Sequence, residues 1–179
     1  MYKLIVNFAR ESKEVILPSK RDEDGGFDIY AYFKEGYVVI PKHEVKMIPT
    51  GIRSAFSSDY AAILKERGST GTKGIAQRSG VIDSGFRGEW KVPVGNTTDK
   101  TLIIAKSEKV VEKDGELIDI ETSQSLGMAQ DCIVYPYEKA ITQAVFVPIP
   151  KLEVREISVD MLKDIKSERG EGMLWSSKK

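Results

Sequence analysis

Short apolar runs, each bounded by Gly, Pro, Asn or Asp, recur along the chain as far as Pro150. Most of them are rich in β-branched and aromatic residues, which favour strands. They predict strands at Tyr2 to Phe8, Tyr37 to Ile40, Val45 to Ile48, Ala61 to Leu64, Trp90 to Val94, Leu102 to Ile104 and Thr142 to Ile149. Short strands at this spacing are typical of an all-β sandwich or barrel.

Helical periodicity occurs in one place, Ser158 to Lys166. Ser158 is a suitable N-cap, and Val159, Leu162 and Ile165 share one face at i, i+3 and i+6. The chain beyond Pro150 has lost its strand character and ends in small and polar residues. The sequence therefore predicts a β core over 1–150 and a C-terminal arm over 151–179.

Composition limits the classes of protein that the chain can belong to. Its 27 basic and 27 acidic residues cancel, so no summed field would steer it to a nucleic-acid backbone, and we expect no direct nucleic-acid partner. No apolar run approaches the roughly 20 residues of a membrane span, and the first residues turn polar too soon for a signal peptide. The single cysteine, Cys132, excludes an intramolecular disulfide. These features predict a cytoplasmic protein without a membrane partner.

The segment Gly-Val-Ile-Asp-Ser-Gly-Phe-Arg-Gly, residues 80–88, is the most informative candidate for chemistry. It predicts a hairpin in which Asp83 precedes a Ser84-Gly85 turn, Gly85 takes a positive φ, and Phe86 resumes the chain opposite Asp83. Such a hairpin would present a carboxylate and an aromatic ring side by side at its turn end. An ordinary β-turn with a solvated Asp explains the same residues.

Five segments occur in an order that resembles the trimeric dUTP pyrophosphatase (dUTPase) family. They are Gly26-Phe27-Asp28-Ile29-Tyr30-Ala31, Arg67-Gly68-Ser69-Thr70, residues 80–88, Gln143 within Ile141 to Val145, and Glu168 to Gly172 with Ser176-Ser177. The third of these motifs is specific, and the others are less so. The resemblance implies a jelly-roll-like β barrel of the β-clip type. It also implies a homotrimer with active sites at subunit interfaces, each covered by a neighbour's C-terminal arm.

The same resemblance implies hydrolysis of dUTP to dUMP and pyrophosphate by attack of water on the α-phosphorus. Asp83 would be the general base, and Asp28 a supporting acid near the phosphates, although on sequence alone Asp28 is as easily an acid at a strand entrance. The substrate-binding residues would be Gly80, Val81, Ile82 and Phe86 for the nucleoside, Arg67, Gly68, Ser69, Gln143, Arg169, Ser176 and Ser177 for the phosphates, and Trp175 over the base. Mg²⁺ would be held through the triphosphate and water, with no direct protein ligand.

Three motifs depart from the family pattern. Gly68 stands where the family has Ser, so either Ser69 takes its place or one donor is missing. Glu138-Lys139-Ala140 replaces the usual Gly-Asp-Arg ahead of Gln143, and Gly127 to Gln130 imitates that motif without the following strand. In the arm, Met173 to Lys178 replaces the usual Gly-Phe-Gly-Ser-Thr-Gly.

An insertion over about 97–137 sets the chain apart from a compact dUTPase, and it includes a polar hairpin-like stretch, Val110 to Ile118. It predicts a surface loop. As an alternative function, the chain is a catalytically weakened regulatory protein that binds a repressor through this insertion. A dCTP deaminase is less well supported, because Pro93 stands where that enzyme needs a Glu. The Gly68 to Gly74 stretch lacks the ending and the βαβ context of a phosphate-binding loop.

Overall fold

The computed structural model describes residues 3–168 and residue 170, and strands dominate this part of the chain. The strands are β1 (Asn7–Arg10), β2 (Phe27–Ile29), β3 (Tyr37–Ile40), β4 (Val45–Pro49), β5 (Ile52–Ala55), β6 (Tyr60–Lys65), β7 (Ile75–Gln77), β8 (Val81–Asp83), β9 (Lys91–Asn96), β10 (Thr101–Ala105), β11 (Val110–Lys113), β12 (Glu116–Asp119), β13 (Ser125–Met128), β14 (Cys132–Pro136) and β15 (Thr142–Pro148). Two short α-helices, α1 (Gly68–Gly71) and α2 (Val159–Asp164), and a 3₁₀ turn, Ala129–Asp131, complete the described elements. The all-β prediction is confirmed.

Five small sheets arrange these strands. Their orders are β1-β5, β14-β10-β3, β11-β12-β13, β2-β15-β6-β8 and β4-β9-β7. The four-stranded sheet matters most for the site, because its antiparallel register places Gln143 of β15 opposite both Asp28 of β2 and Lys65 of β6. Residues more than 100 positions apart in the sequence therefore become neighbours on one sheet.

Trp90 is at the centre of the main core and is fully buried. Its indole Nε1 donates to Ser54 Oγ at 3.1 Å, and the edge of its ring meets Phe8 with ring centroids 5.7 Å apart. A buried indole N–H needs an acceptor, so this bond lets the large ring be buried without an unpaired donor. The strand predicted at Tyr2 to Phe8 is displaced: pairing with β5 begins only at Asn7 and extends to Arg10.

The extra sheet β11-β12-β13 spans Val110–Met128 and includes the hairpin expected from the sequence. Its first turn is made by Asp114 and Gly115, which both have positive φ (52° and 82°), as a tight two-residue turn requires. Leu117 of β12 packs with Ile103 and Ala105 of β10 in a second core cluster. The rest of residues 97–137 includes β10 and β14, which lie side by side in parallel within another sheet.

The chain divides into two units, one ending at Ile149 and the other beginning at Pro150. The predicted helix is present in the second unit as α2, and the Ser158 side chain accepts a hydrogen bond from the Met161 N–H at 3.1 Å. Val159, Leu162 and Ile165 of this unit are all more than half exposed. No helix among the described residues is long and apolar enough to cross a membrane.

Replacing Asn96 by Ala should destabilise the fold by about 2–4 kcal/mol, because one buried and two partly buried carbonyl groups lose their donor. Asn96 is 2% exposed, and its Nδ2 donates to the carbonyls of Ile40, Pro41 and Lys100 at 3.1, 3.2 and 2.7 Å. Urea unfolding at a fixed protein concentration measures the change. Asn7→Ala, at an exposed position, is the control, and an Asn96 variant as stable as this control would contradict the prediction.

Candidate active site

A polar cleft of about 740 Å³ opens at the end of the four-stranded sheet. It is lined by Ser19, Lys20, Arg21, Asp24, Gly25, Gly26, Asp28, Arg67, Gly68, Ser69 and Gln143. Members of the first, second and fourth motifs therefore meet in one place. The sheet register explains this meeting, because Asp28 and Gln143 are cross-strand partners and Arg67 follows β6 directly.

Asp28 and Arg67 form the central ion pair of the cleft. Arg67 Nε lies 2.8 Å from Asp28 Oδ1, and Arg67 Nη2 lies 3.1 Å from Asp28 Oδ2. Both side chains are about one third exposed. This two-point geometry fixes the plane of the guanidinium group and leaves Nη1 and the second N–H of Nη2 directed away from Asp28. Asp28 therefore does more than occupy a position in β2, because its carboxylate pairs with the Arg67 guanidinium group in the cleft.

Gln143 is held against the backbone on two sides. Its Nε2 donates to the Glu66 carbonyl at 2.8 Å, and its Oε1 lies so close to Gly26 that a Cβ at that position would approach it to 2.8 Å. A glycine at position 26 is therefore required for this packing. Gln130, in the imitation of the fourth motif, lies in a 3₁₀ turn, Ala129–Asp131, and does not line the cleft.

Ser69 lies beside Arg67 and lines the cleft together with Gly68. Its Oγ accepts a hydrogen bond from Arg67 Nη1 at 3.1 Å. The short turn is closed by Thr70, whose Oγ1 accepts from the Arg67 N–H and donates to the Arg67 carbonyl, both at 3.0 Å. The hydroxyl missing at position 68 is therefore present in the cleft one residue later.

A charged loop, Ser19 to Gly25, forms a wall of the cleft that the sequence reasoning did not assign. Lys20 Nζ donates to the carbonyls of Arg21, Asp22 and Asp24 at 3.0 to 3.1 Å and so holds the loop closed. A hydrogen bond from Arg21 lowers the pKa of the Asp24 carboxyl. The signal available in the sequence was the charged run Lys-Arg-Asp-Glu-Asp directly ahead of the Asp28 motif.

The segment Gly80 to Phe86 is strand β8 followed by a turn rather than a hairpin, which corrects the prediction. β8 pairs with β6, whereas β9 pairs with β4 and β7, so the strands on either side of the turn belong to different sheets. The Phe86 N–H donates to the Asp83 carbonyl at 3.0 Å and closes the turn. Gly85 does not have the positive φ that was expected.

Asp83 and Phe86 are exposed, and the Phe86 ring lies over Gly88, where a Cβ would approach it to 2.4 Å. Gly80 is also required by packing, because a Cβ there would lie 2.9 Å from the Leu64 carbonyl oxygen. The exposed carboxylate and ring occupy the same turn as expected, although the turn does not join paired strands.

The two groups of candidate residues lie far apart within one chain. Asp83 is opposite Ala61 on one side of β6, whereas Gln143 is opposite Lys65 on the other side. Strand geometry then separates their backbones by roughly 16 Å. Asp83 therefore lies apart from the cleft of its own chain and does not line it. Arg169, Trp175, Ser176 and Ser177 lie outside the described residues.

Carboxylates that could hold a metal ion are not clustered in the described part of the chain, where no group of three or more His, Cys, Asp or Glu side chains has a suitable arrangement. The two acids that line the cleft, Asp24 and Asp28, are each paired with an arginine. An ion in this cleft would need most of its ligands from water and from a bound anion.

Comparisons with known proteins agree with one another. A family model described as dUTPase matches residues 12–112. The deoxyuridine 5'-triphosphate nucleotidohydrolase of Thermoanaerobacter sp. (strain X514) is 32% identical over 106 residues, which cover 57% of this chain and 71% of that protein. The Pol polyprotein of an ovine maedi visna related virus is 36% identical over 97 residues, which cover 54% of this chain but only 9% of the polyprotein.

Solved structures resemble the fold over most of the chain. The dUTPase of Staphylococcus bacteriophage 80alpha with dUpNHpp has a TM-score of 0.68 and 22% identity, with 93% of this chain and 94% of that chain covered. The dUTPase of phage phi11 of S. aureus, described for its species-specific insert, has a TM-score of 0.62 and 21% identity, with 86% and 96% covered. At this identity the likeness establishes the fold.

Proposed function

Because the chain belongs to the dUTPase family, we propose that it hydrolyses dUTP to dUMP and pyrophosphate, which removes a precursor of uracil in DNA and supplies dUMP. The observation that carries the proposal is the cleft in which Asp28, Arg67, Ser69 and Gln143 meet from three separate motifs. A fixed guanidinium group flanked by a hydroxyl and an amide is suited to a polyphosphate. The proposed compartment is the cytoplasm.

The enzyme is proposed to act as a homotrimer, because one chain carries two separated halves of the site. The cleft around Arg67 would hold the triphosphate, while the segment Gly80 to Phe86 of another copy would supply the nucleoside pocket and the general base. The estimated separation of these halves within one chain supports this division. Arg169, Trp175, Ser176 and Ser177 of the arm would close the site.

In the nucleoside pocket, backbone N–H and carbonyl groups of Gly80, Val81 and Ile82 would pair with the edge of uracil. Cytosine would leave such groups unpaired, which is costly enough to exclude it. The exposed Phe86 ring would lie against the deoxyribose, where an added 2′-hydroxyl would collide with it.

Asp83 would orient a water molecule and take its proton as the water attacks the α-phosphorus, with pyrophosphate as the leaving group. An exposed carboxylate can do this when the water is well placed. Arg67, the Gly68 backbone, Ser69 and Gln143 would stabilise the negative charge that develops on the phosphates.

Mg²⁺ is the proposed cofactor, and the donor set of the cleft fits an ion carried by the triphosphate. Asp28 is the carboxylate that would hold a water molecule of such an ion, since it lies beside the phosphate-binding Arg67. The ion would neutralise phosphate charge.

Pyrophosphate release from dUTP, dCTP, dTTP and UTP, each assayed with Mg²⁺, tests the proposed function. We expect release from dUTP alone, because the pocket would reject cytosine, the thymine methyl group and the 2′-hydroxyl. Release from dCTP at a comparable rate, or no release from any of the four, would contradict it. Ammonia release from dCTP would instead identify a deaminase.

A second candidate function is partner binding by the extra sheet, favoured by three apolar side chains that this region exposes. Val111, Ile120 and Met128 are 42%, 48% and 41% exposed. Solved structures of the similar 80alpha phage proteins are described as dUTPases that control transfer of virulence genes by a G protein-like mechanism. The proposed partner of this chain is a repressor protein that contacts the extra sheet.

Changing Val111, Ile120 and Met128 together to Ser should weaken repressor binding at least tenfold and leave dUTP turnover within twofold. Substitution is preferable to deletion of the sheet, because deletion would uncover Ile103 and Ala105 beneath Leu117. Calorimetric titration with the repressor and pyrophosphate release measure the two effects. The control is a matched triple change at the exposed polar positions Lys113, Glu116 and Glu121. Unchanged affinity in the apolar variant would exclude this surface.

A further inference from the structure

Tyr135 is a buried tyrosine whose hydroxyl lies close to the Arg67 and Ser69 side chains of the cleft. It belongs to β14, is 1% exposed, and its hydroxyl donates to the Ala140 carbonyl at 2.7 Å. Burial raises the pKa of this phenol, and the neighbouring Arg67 and Ser69 lower it in part. The hydroxyl is therefore a neutral, buried donor close to the phosphate-binding side chains.

The Ala140 carbonyl is shared by two donors. Arg67 Nη1 approaches the same oxygen at 3.4 Å, from the side of the cleft. Ala140 is itself buried, and it follows a turn in which the Lys139 N–H donates to the Pro136 carbonyl at 3.1 Å. This turn carries the altered fourth motif, Glu138-Lys139-Ala140, and its last carbonyl accepts from both Arg67 and Tyr135.

Arg67 is held on several edges by these contacts. Nε and Nη2 contact Asp28, and Nη1 contacts Ser69 and the Ala140 carbonyl. Among the described residues, these contacts engage four of its five N–H groups, and the remaining one is on Nη2. The direction of this remaining N–H depends on how the acceptors hold the whole guanidinium group. One of these acceptors, the Ala140 carbonyl, also accepts a hydrogen bond from Tyr135.

We propose that Tyr135 is a positioning residue for Arg67: its hydroxyl fixes the Ala140 carbonyl, which sets the guanidinium plane for a bound triphosphate. The inference rests on the proposed function for the identity of the substrate, but the contacts require only an oligophosphate. Removal of the hydroxyl leaves Arg67 Nη1 as the remaining side-chain donor to this carbonyl, so the carbonyl is held less firmly. Arg67 loses one of the constraints that orient it.

Tyr135→Phe should weaken the binding of inorganic triphosphate to the full-length protein roughly threefold to tenfold, the range expected for one hydrogen bond. Deoxyuridine, which has no phosphate, should inhibit turnover equally in both proteins, and the KM for dUTP should rise more than kcat falls. Tyr137→Phe is the matched control, because Tyr137 is a partly buried tyrosine of the same segment that packs on Phe33. Calorimetry with inorganic triphosphate is the primary measurement.

A combination variant tests whether Tyr135 acts through Arg67. In an Arg67→Lys background, which lacks the Nη1 contact, Tyr135→Phe should have no further effect on triphosphate affinity. An additive effect there would overturn the inference, as would unchanged affinity in the single variant. Equal losses for triphosphate and deoxyuridine would identify a general structural role and would overturn it as well.

These outcomes are distinct from a failure of the proposed function. If the wild-type protein released no pyrophosphate from dUTP but bound triphosphate more tightly than Tyr135→Phe, the function would fail and the inference would stand. If dUTP were hydrolysed and the two proteins bound triphosphate alike, the function would stand and the inference would fail. A wild-type protein that bound no triphosphate would overturn the inference directly.

Discussion

Replacing Asp83 by Asn is expected to lower dUTP turnover about a hundredfold to ten-thousandfold, while dUTP affinity stays within a few-fold. Asn has nearly the shape of Asp but cannot accept a proton from water at neutral pH. Asp83 is exposed at the end of β8, so the change disturbs no buried contact. The loss should therefore appear in kcat, with little change in binding.

Single-turnover rates and dUTP affinity, measured separately, decide this prediction. Asp114→Asn is a suitable control, because Asp114 is an exposed acid at a φ of 52°, which Asn tolerates well. Turnover in Asp83→Asn equal to that of this control would remove Asp83 from the role of base. A large loss of binding would instead assign Asp83 to substrate recognition.

Replacing Arg67 by Ala is expected to lower kcat/KM for dUTP by about a hundredfold to a thousandfold, the usual cost of removing one fixed donor to a developing negative charge. The change also leaves Asp28 without its cation at the place where phosphates would bind, and like charges then repel. Arg67→Lys should recover part of the activity, since it restores the charge without the two-point geometry.

Arg53→Ala is the control for the loss of a paired arginine, because Arg53 Nη2 lies 2.7 Å from Glu11 Oε1 and is absent from the cleft. The thermal unfolding midpoint of each variant separates loss of fold from loss of function. We expect Arg53→Ala to keep near-normal turnover. Activity of Arg67→Ala at the level of Arg53→Ala would show that the cleft is not the phosphate site.

Several elements were predictable because they depend on adjacent residues. The run Tyr37 to Ile40 became β3 with the expected bounds, since β-branched and aromatic side chains favour extended backbone wherever they pack. Ser158 capped α2 as expected, because a cap needs only a side-chain oxygen within reach of the first turn. The Asp114-Gly115 turn has the same local origin.

Other features could not be predicted because they depend on which strands meet. The turn predicted within Val81 to Phe86 is present, but the predicted hairpin is wrong. Strand β8 pairs with β6 rather than with the strand that follows it. Tyr135 carried no signal for a role in the site, because a tyrosine in an apolar strand is usually a core residue. Its relation to the cleft comes from the fold, through the shared Ala140 carbonyl and the neighbouring Arg67 and Ser69 side chains.

The sequence by itself determined the all-β class, the locations of many strands, the capped helix and the residue types of each motif, because these properties depend on short-range preferences and on motif order. The tertiary structure decided that Asp28, Arg67 and Gln143 share one cleft and that Asp83 does not line that cleft. It also decided that the Ser69 hydroxyl lines this cleft beside Arg67. These results depend on strand pairing and register, which arise from packing between distant parts of the chain.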